Sequence, residues 1–307
     1  MIARACFVCV LGFASRAFAV DLVVAPAVGT PRELVIEGRL FSHRPSSDDP
    51  LWNNLGTLAG WTRNGATITA SFAGTSATAV TDDDGDFTVT LTPAQPFIAG
   101  RGTALVSARD VSARAPVQIV GGTPDFFIVS DFDDTVAISK IAEPGGILRT
   151  GLLVDGKTHP PVPMMATFYR CLLARPTRPP LVFVSGSPIQ FAPRLVDFLA
   201  TNGFPFGGLH LRRLSPSTMK DYKQPVIRRL LARFTSPVIL IGDSGERDPE
   251  VYKEIRAEAG ARVLRTYIRD AGRTDDASRF ADALLFKDAL DAIADAKARG
   301  FIVATCP

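Results

Sequence analysis

Two kinds of hydrophobic patterning divide the chain. From about Asp21 to Gly122, short stretches rich in Val, Ile, Thr or Phe are separated by Gly, Asp and Pro clusters. That is the pattern of an all-β unit, and it predicts strands over Glu33–Leu40, Ala66–Phe72, Asp86–Leu91 and Val117–Val120. After Gly121-Gly122, short apolar runs alternate with stretches of helical period, the order that builds a parallel α/β sheet. Strands are predicted over Phe126–Val129, Leu181–Val184, Val238–Ile241 and Val263–Ile268. Helices are predicted over Met164–Ala174, Pro188–Asn202, Pro225–Phe234, Pro249–Ala259 and Leu285–Arg299, with Pro at several starts and Gly203 and Gly260 as stops. The first three of these strands end in polar clusters. Open α/β sheets bind ligands beyond the carboxyl ends of their strands, so chemistry is expected there.

The N-terminus is set apart by a different pattern. Met1–Ala19 has a positive start at Arg4, an apolar run over Ala5–Ala14 and a small-x-small site at Ala17-Phe18-Ala19, as in a cleavable export signal. The apolar run is about half the ~20 residues that cross a bilayer. Cleavage there leaves Cys171 and Cys306, whose separation sequence does not give, and places the protein in the periplasm or the medium. It also removes Arg4 and Arg16, taking the formal charge from +3 to +1. With 34 Lys+Arg against 31 Asp+Glu in the whole chain, nothing marks a nucleic-acid partner. The length of 307 residues accommodates two domains, read as 20–122 and 123–307 after the signal at 1–19.

The acidic run Asp82–Asp86 lacks the later Glu and the flanking helices of a calcium loop, and reads instead as an Asp-Gly hairpin turn. The strand ends of the second half are richer. Ser130-Asp131-Phe132-Asp133-Asp134-Thr135 places Asp131 and Asp133 on one face by the two-residue period of a strand. Two carboxylates sharing a desolvated site call for a divalent cation or a held proton. Ser185-Gly186-Ser187 before Pro188 offers hydroxyls and free backbone N–H groups at a helix N-terminus, which suits an anion. Lys223, with Lys220 as a rival, stands at the start of a helix. Gly242-Asp243-Ser244-Gly245-Glu246-Arg247-Asp248 ends the next strand in acids. Gly-Asp-Ser-Gly also surrounds a serine-protease nucleophile, but a helix follows here, and His43, His159 and His210 lie in no recognisable base context.

Taken together, D-x-D-x-T, a strand-end Ser, a helix Lys and G-D-x4-D resemble the haloacid dehalogenase superfamily. SDFDDTV, PVPMMATFYR, FVSGSPIQF, LIGDSGERDPEVY and RTYIRD more closely resemble the actin-patch-associated phosphatidate phosphatase family, over roughly Phe126–Asp270. The resemblance implies a haloacid dehalogenase-like Rossmannoid parallel sheet with flanking helices, preceded by a small β-sandwich. It implies Asp131 as a nucleophile forming an aspartyl-phosphate and Asp133 as general acid and base. Mg2+ would be held by Asp131, the backbone carbonyl of Asp133, Asp243 and Asp248, and Ser185 and Lys223 would hold the phosphoryl oxygens. Tyr222 stands where the family has His, and Gly186 where Ser or Asn is common.

About 45 residues separate Val136 from Leu181, too few for a large cap, so the site is expected to be open. An open site suits a bulky phosphomonoester, with Arg149, Arg212, Arg213 and Arg247 available to anionic lipid. The expected activity is hydrolysis of phosphatidate to diacylglycerol and phosphate, reached by peripheral contact with a membrane surface. A soluble phosphomonoester or phosphoprotein substrate, and a phosphate- or metal-binding module without turnover, are the alternatives.

Overall fold

The computed structural model describes residues 19–43, 61–138, 160–213, 222–303 and 306. All but the last residue of the export-signal reading lies outside these, as do Arg149, His159, Lys220 and the rest of residues 139–159 between Val136 and Leu181. No helix among the described residues is long and apolar enough to cross a membrane.

The N-terminal half folds into two sheets. In the first, β3 (Leu34–His43) pairs antiparallel with β1 (Ala19–Val24), β4 (Trp61–Thr62) and β7 (Asp86–Leu91). The second has the order β2 (Ala27–Gly29), β9 (Val111–Ile119), β8 (Gly100–Ala108), β5 (Thr67–Phe72) and β6 (Thr75–Val80). Ile36 and Phe87 of the first share one core with Ile68 and Val106 of the second, the alternation expected of sheets that each bury one face. Each such side chain, fully buried, contributes roughly 1.5–3 kcal/mol. The long β8–β9 hairpin was predicted only in its last strand. Its inward positions include Ala104, Ala108 and Ala115 while Leu105 and Pro116 face outward, so hydrophobic alternation is faint, and its turn depends on Arg109 at φ 45°. The Asp82–Asp86 reading is corrected in one respect. The Asp-Gly turn exists, with Gly85 at φ 77° and Asp82 Oδ1 accepting from the N–H groups of Asp84 and Asp86. It is not a hairpin, because β6 and β7 lie in different sheets.

The C-terminal half is an all-parallel sheet of six strands, in the order β12-β11-β10-β13-β14-β15. These are β10 (Phe127–Ser130), β11 (Leu181–Pro188), β12 (Gly208–Arg212), β13 (Val238–Asp243), β14 (Val263–Arg269) and β15 (Leu284–Phe286). Alternate residues enter two cores. Ile128, Ile239 and Ile241 face α1 (Met165–Leu173), α2 (Ala192–Thr201) and α5 (Ala289–Ala298). Phe127, Val129, Val238 and Leu240 face α3 (Lys223–Arg233) and α4 (Asp248–Ala259). Burial on both faces is why these strands read as unbroken apolar runs.

Two helix assignments change. Leu285 does not begin a helix: Leu284–Phe286 pairs with β14, and α5 starts after Asp288, whose carboxylate caps the Leu290 N–H at 2.9 Å. Pro188 closes β11 with extended backbone, a single 3-10 turn follows at Ile189–Phe191, and α2 opens only at Ala192. The unpredicted β12 (GLHLR) alternates apolar with His and Arg because it borders the β half. Leu209 N–H donates to the Pro26 carbonyl, and His210 Nδ1 lies 2.8 Å from Glu37 Oε2.

Cys171 on α1 and Cys306 form a disulfide with Cα atoms 5.6 Å apart, closing a loop over a sequence separation of 135. Cross-links over loops of this size remove chain entropy from the unfolded state and stabilise by about 2–4 kcal/mol. Reduction, or Cys171→Ser, is therefore expected to lower the midpoint of thermal unfolding by roughly 5–15 °C. An unchanged midpoint after complete reduction would show that the bridge adds nothing.

Candidate active site

Renumbered in chain order, the parallel sheet runs 3-2-1-4-5-6, and its order reverses between β10 and β13. That switch point leaves a crevice at the carboxyl ends of the two strands. Asp131 follows β10 directly, and Asp243 is the last residue of β13. Asp131 N–H donates to the Ile241 carbonyl at 2.8 Å, so strand pairing itself sets the two carboxylates side by side.

Asp248 enters the same space from the first position of α4. Together Asp131, Asp243 and Asp248 offer oxygens within 4.8 Å of one another, and all three are buried. Gly242 makes this approach feasible. A Cβ there would stand 2.4 Å from Asp248 Oδ2 and 2.8 Å from the Tyr252 ring, so only glycine leaves room for the acid. Asp243 Oδ1 accepts from the N–H groups of Gly245 and Glu246 at 2.6 and 3.2 Å. Its Oδ2 is buried and accepts no hydrogen bond. An orphaned carboxylate oxygen within an all-oxygen donor set fits a hard divalent cation such as Mg2+.

Lys223 is the counter-charge. Its Nζ lies 2.5 Å from Asp248 Oδ1, 2.7 Å from Asp131 Oδ1 and 3.2 Å from Glu246 Oε2. The contact to Asp131 is an ion pair off the hydrogen-bond direction. Helix α3 begins at Lys223, two residues earlier than Pro225 suggested, which swings the ammonium into the crevice. One ammonium does not neutralise so many acids. Burial first, then neighbouring carboxylates, push Asp131 and Asp248 above the usual range and Asp243 up to about 8, with Lys223 opposing each rise. For Lys223, burial alone would lower the pKa, but Asp131, Asp248 and Glu246 hold it well above the usual lysine value.

Asp133 occupies the opposite wall. The strand stops at Ser130, so the two-residue period does not govern residues 131–133. Instead Phe132–Ala137 forms a tight turn, in which Val136 N–H donates to the Phe132 carbonyl and Asp134 takes φ 53°. The Asp133 carboxylate is not among the three clustered acids. Its Oδ2 accepts from Ser185 Oγ at 2.9 Å and Ser187 Oγ at 3.1 Å. Burial and Glu246 push its pKa up, while the two serine hydroxyls oppose this. Ser185 sits inside β11 rather than at a helix N-terminus, so the helix-dipole argument for an anion there fails. Lys220 and Arg149 are outside the described residues. Arg212 closes β12 beside Pro188, Arg213 reaches Thr88 and Asp82 of the β half, and Arg247 precedes α4.

Several members of the site carried no sequence signal of their own. Glu246 and Ser187 lay within the quoted motifs but in positions open to any polar residue. Thr135 Oγ1 donates to Asp131 Oδ2 at 3.2 Å, and Ser130 Oγ shares a 2.6 Å hydrogen bond with the buried Tyr169 hydroxyl beneath it. Thr135 closes the D-x-D-x-T motif, which was its one signal. Nothing local pointed to Tyr169.

Comparison with known proteins adds a match to one family model. Residues 126–270 match the family model of the phosphatidate phosphatase APP1 catalytic domain. An uncharacterized protein of Schizosaccharomyces pombe is 30% identical over 153 residues, which make up 47% of this chain and 25% of that protein. The chain thus covers about a quarter of that relative's length. Among solved structures, a carbohydrate acetylesterase from Xanthomonas citri aligns over 83% of this chain and 68% of its own, at TM-score 0.30 and 14% identity. Domains 4–9 of the surface layer protein SbsC align over 34% of this chain and 14% of theirs, at TM-score 0.23 and 14% identity. Likeness at that level assigns neither fold nor function.

Two outcomes are expected from this geometry. Gly242→Ala should destabilise by about 1–3 kcal/mol through overpacking and weaken Mg2+ binding by displacing Asp248, read by thermal unfolding and calorimetry. A variant that binds Mg2+ as tightly as wild type would refute the steric role of Gly242. Because the acids are raised, the cation-free site holds protons near neutrality, and cation binding must release them. Mg2+ affinity should therefore climb as pH rises toward and through about 8, then level off. Binding heats that do not vary with buffer ionisation enthalpy would contradict it.

Proposed function

We propose, from the match of residues 126–270 to the phosphatidate phosphatase APP1 catalytic domain, that this chain is a Mg2+-dependent phosphomonoester hydrolase that converts phosphatidate to diacylglycerol and phosphate. The observation that carries this reading is the buried Asp131–Asp243–Asp248 cluster around Lys223 at the sheet's switch point, inside the matched segment.

Asp131 is the nucleophile in this reading. One carboxylate oxygen forms a bond to phosphorus as the bond from phosphorus to the glycerol oxygen breaks, giving an aspartyl-phosphate. Asp133 donates its proton to the departing oxygen, and its raised pKa keeps that proton available. Water then attacks phosphorus, Asp133 takes back a proton, and phosphate leaves with Asp131 regenerated. Ser187 can hold Asp133 alone while Ser185 turns its single O–H to a phosphoryl oxygen. Lys223 holds the charge developing on the other oxygens and orients Asp131. Asp131, Asp243 and Asp248 would hold Mg2+, which when bound supplies electrostatic stabilisation of the phosphoryl oxygens. Thr135 fixes the Asp131 rotamer from the far side.

Export to an oxidising compartment belongs to the same proposal. The signal-like Met1–Ala19 and the Cys171–Cys306 bridge support it.

The test is phosphate release from phosphatidate in detergent micelles, with Mg2+ and with chelator, beside Asp131→Asn. Release that requires Mg2+ and falls to background in the folded variant is expected, since an amide is a far poorer nucleophile. Turnover of small phosphate esters but not phosphatidate would keep the chemistry and discard the lipid. Undiminished release by Asp131→Asn would remove Asp131 from its role.

A further inference from the structure

The loop between β13 and α4 carries three acids, and something must keep them close. Asp243, Glu246 and Asp248 lie on one short turn facing Asp131, and their mutual repulsion drives the turn outward. Its own amides help, since Gly245 and Glu246 N–H groups bind Asp243 Oδ1. The outer side of the turn, its carbonyl side, is held from elsewhere.

Arg279 is the principal holder. It lies in a 3-10 turn, Ala277–Phe280, between β14 and β15. Its guanidinium spans the acidic turn: Nη1 donates to the Ser244 carbonyl at 3.0 Å and Nη2 to the Glu246 carbonyl at 2.8 Å. Nη1 also donates to the Arg273 carbonyl at 2.6 Å, and Arg273 in turn donates to the Gly245 carbonyl at 3.1 Å. Three successive carbonyls of the turn are thereby gripped by two arginines. On its other edge Arg279 makes a two-pronged pair with Glu250 of α4, Nε to Oε1 at 2.5 Å and Nη2 to Oε2 at 3.2 Å. The Arg279 side chain is only 12% exposed, so its bonds to the Ser244 and Glu246 carbonyls are partly sheltered from water.

The chemistry of guanidinium suits this task. A planar fork with five N–H donors can hold a turn at two points and a helix at a third, which an ammonium cannot. It also places a positive charge behind the acids without entering the crevice. Groups that orient metal ligands from behind typically change metal affinity 10–100-fold when removed.

We propose that Arg279 is a positioning residue for the divalent cation: by clamping Ser244 and Glu246 to Glu250 it fixes Asp243 and Asp248 at the spacing that binds the ion. This rests on the metal-dependent reading of the site above. The test measures Mg2+ binding to the full chain, stripped with chelator, by titration calorimetry, alongside thermal unfolding. Arg279→Ala is expected to weaken Mg2+ affinity at least tenfold, whereas kcat at saturating Mg2+ changes less than affinity does. Methylguanidinium added to Arg279→Ala is expected to recover part of that affinity without moving the unfolding midpoint, which a merely structural role would not produce. Arg279→Lys keeps the charge but loses the fork. It decides the matter if the alanine variant does not fold, with an expected loss of about fivefold or more. Folded variants whose Mg2+ affinity stays within twofold of wild type overturn the proposal. Wild-type protein that binds no Mg2+ would instead overturn the metal-dependent reading on which it rests.

Discussion

Repulsion among buried carboxylates is the constraint that organises the C-terminal half. Buried ligand oxygens of Asp131, Asp243 and Asp248 are brought within 4.8 Å of one another, with Lys223 as the cation in direct contact. Left alone, such a cluster would take up protons or come apart, since removing either partner of a buried pair costs about 3–5 kcal/mol. Its persistence requires rigid elements on every side. Hydrogen-bonded parallel strands fix Asp131 and Asp243, the first turn of α4 fixes Asp248, and the first turn of α3 fixes Lys223. The same unbalanced negative charge that burdens the fold is what suits the crevice to a divalent cation.

Close approach has its own steric requirement. Asp248 reaches the cluster across the backbone of Gly242, where a methyl group would occupy its place. Beneath, the Tyr252 hydroxyl donates to the Ile241 carbonyl at 2.9 Å and locks α4 to the end of β13. Behind, Ser244 Oγ bonds the Gly272 carbonyl and accepts from Ala271 N–H, tying the turn to the segment that also bears Arg273 and Arg279. Each contact opposes outward movement of the acids, so the turn is held from three directions by neutral or cationic donors.

Legibility in the sequence followed where local grammar and tertiary placement coincide. Asp131 and Asp243 stand where an unbroken apolar strand ends, which the apolar run makes readable, whereas Lys223 and Asp248 begin helices whose predicted starts at Pro225 and Pro249 fall two and one residues late. Asp133 was harder. The strand ends before it, so its direction is set by the Phe132–Ala137 turn and by Ser187 from a different strand. Ser185 was read into a helix N-terminus because Pro188 commonly opens helices, yet here Pro188 keeps extended backbone and continues the sheet. The strand Leu284–Phe286 was hidden inside a helical pattern, since three apolar residues fit either period and only pairing with β14 decides. Arg279 has no local signal at all, because its partners on the acidic turn and on α4 lie about 30 residues away in the chain.

The β half also bears on the site. An edge strand of a parallel sheet exposes unpaired backbone groups, and β12 is such an edge. Here the Pro26 carbonyl takes the Leu209 N–H, and Val28 packs on Gly208 closely enough that a Cβ there would stand 3.1 Å from the Val28 side chain. Farther along, Glu37 meets His210, and its pKa falls to about 2: burial alone would raise it, but His210, Arg213 and Arg229 outweigh that. A carboxylate so depressed stabilises this contact above its ordinary pKa of 4.5, and the contribution is lost as pH falls toward 2. The carboxyl end of β12 lies against Ser185 and Pro188, whose neighbour Ser187 holds Asp133. The β half therefore covers the edge of the sheet beside the strand that carries Ser185 and Ser187, so the packing around Asp133 begins outside residues 126–270.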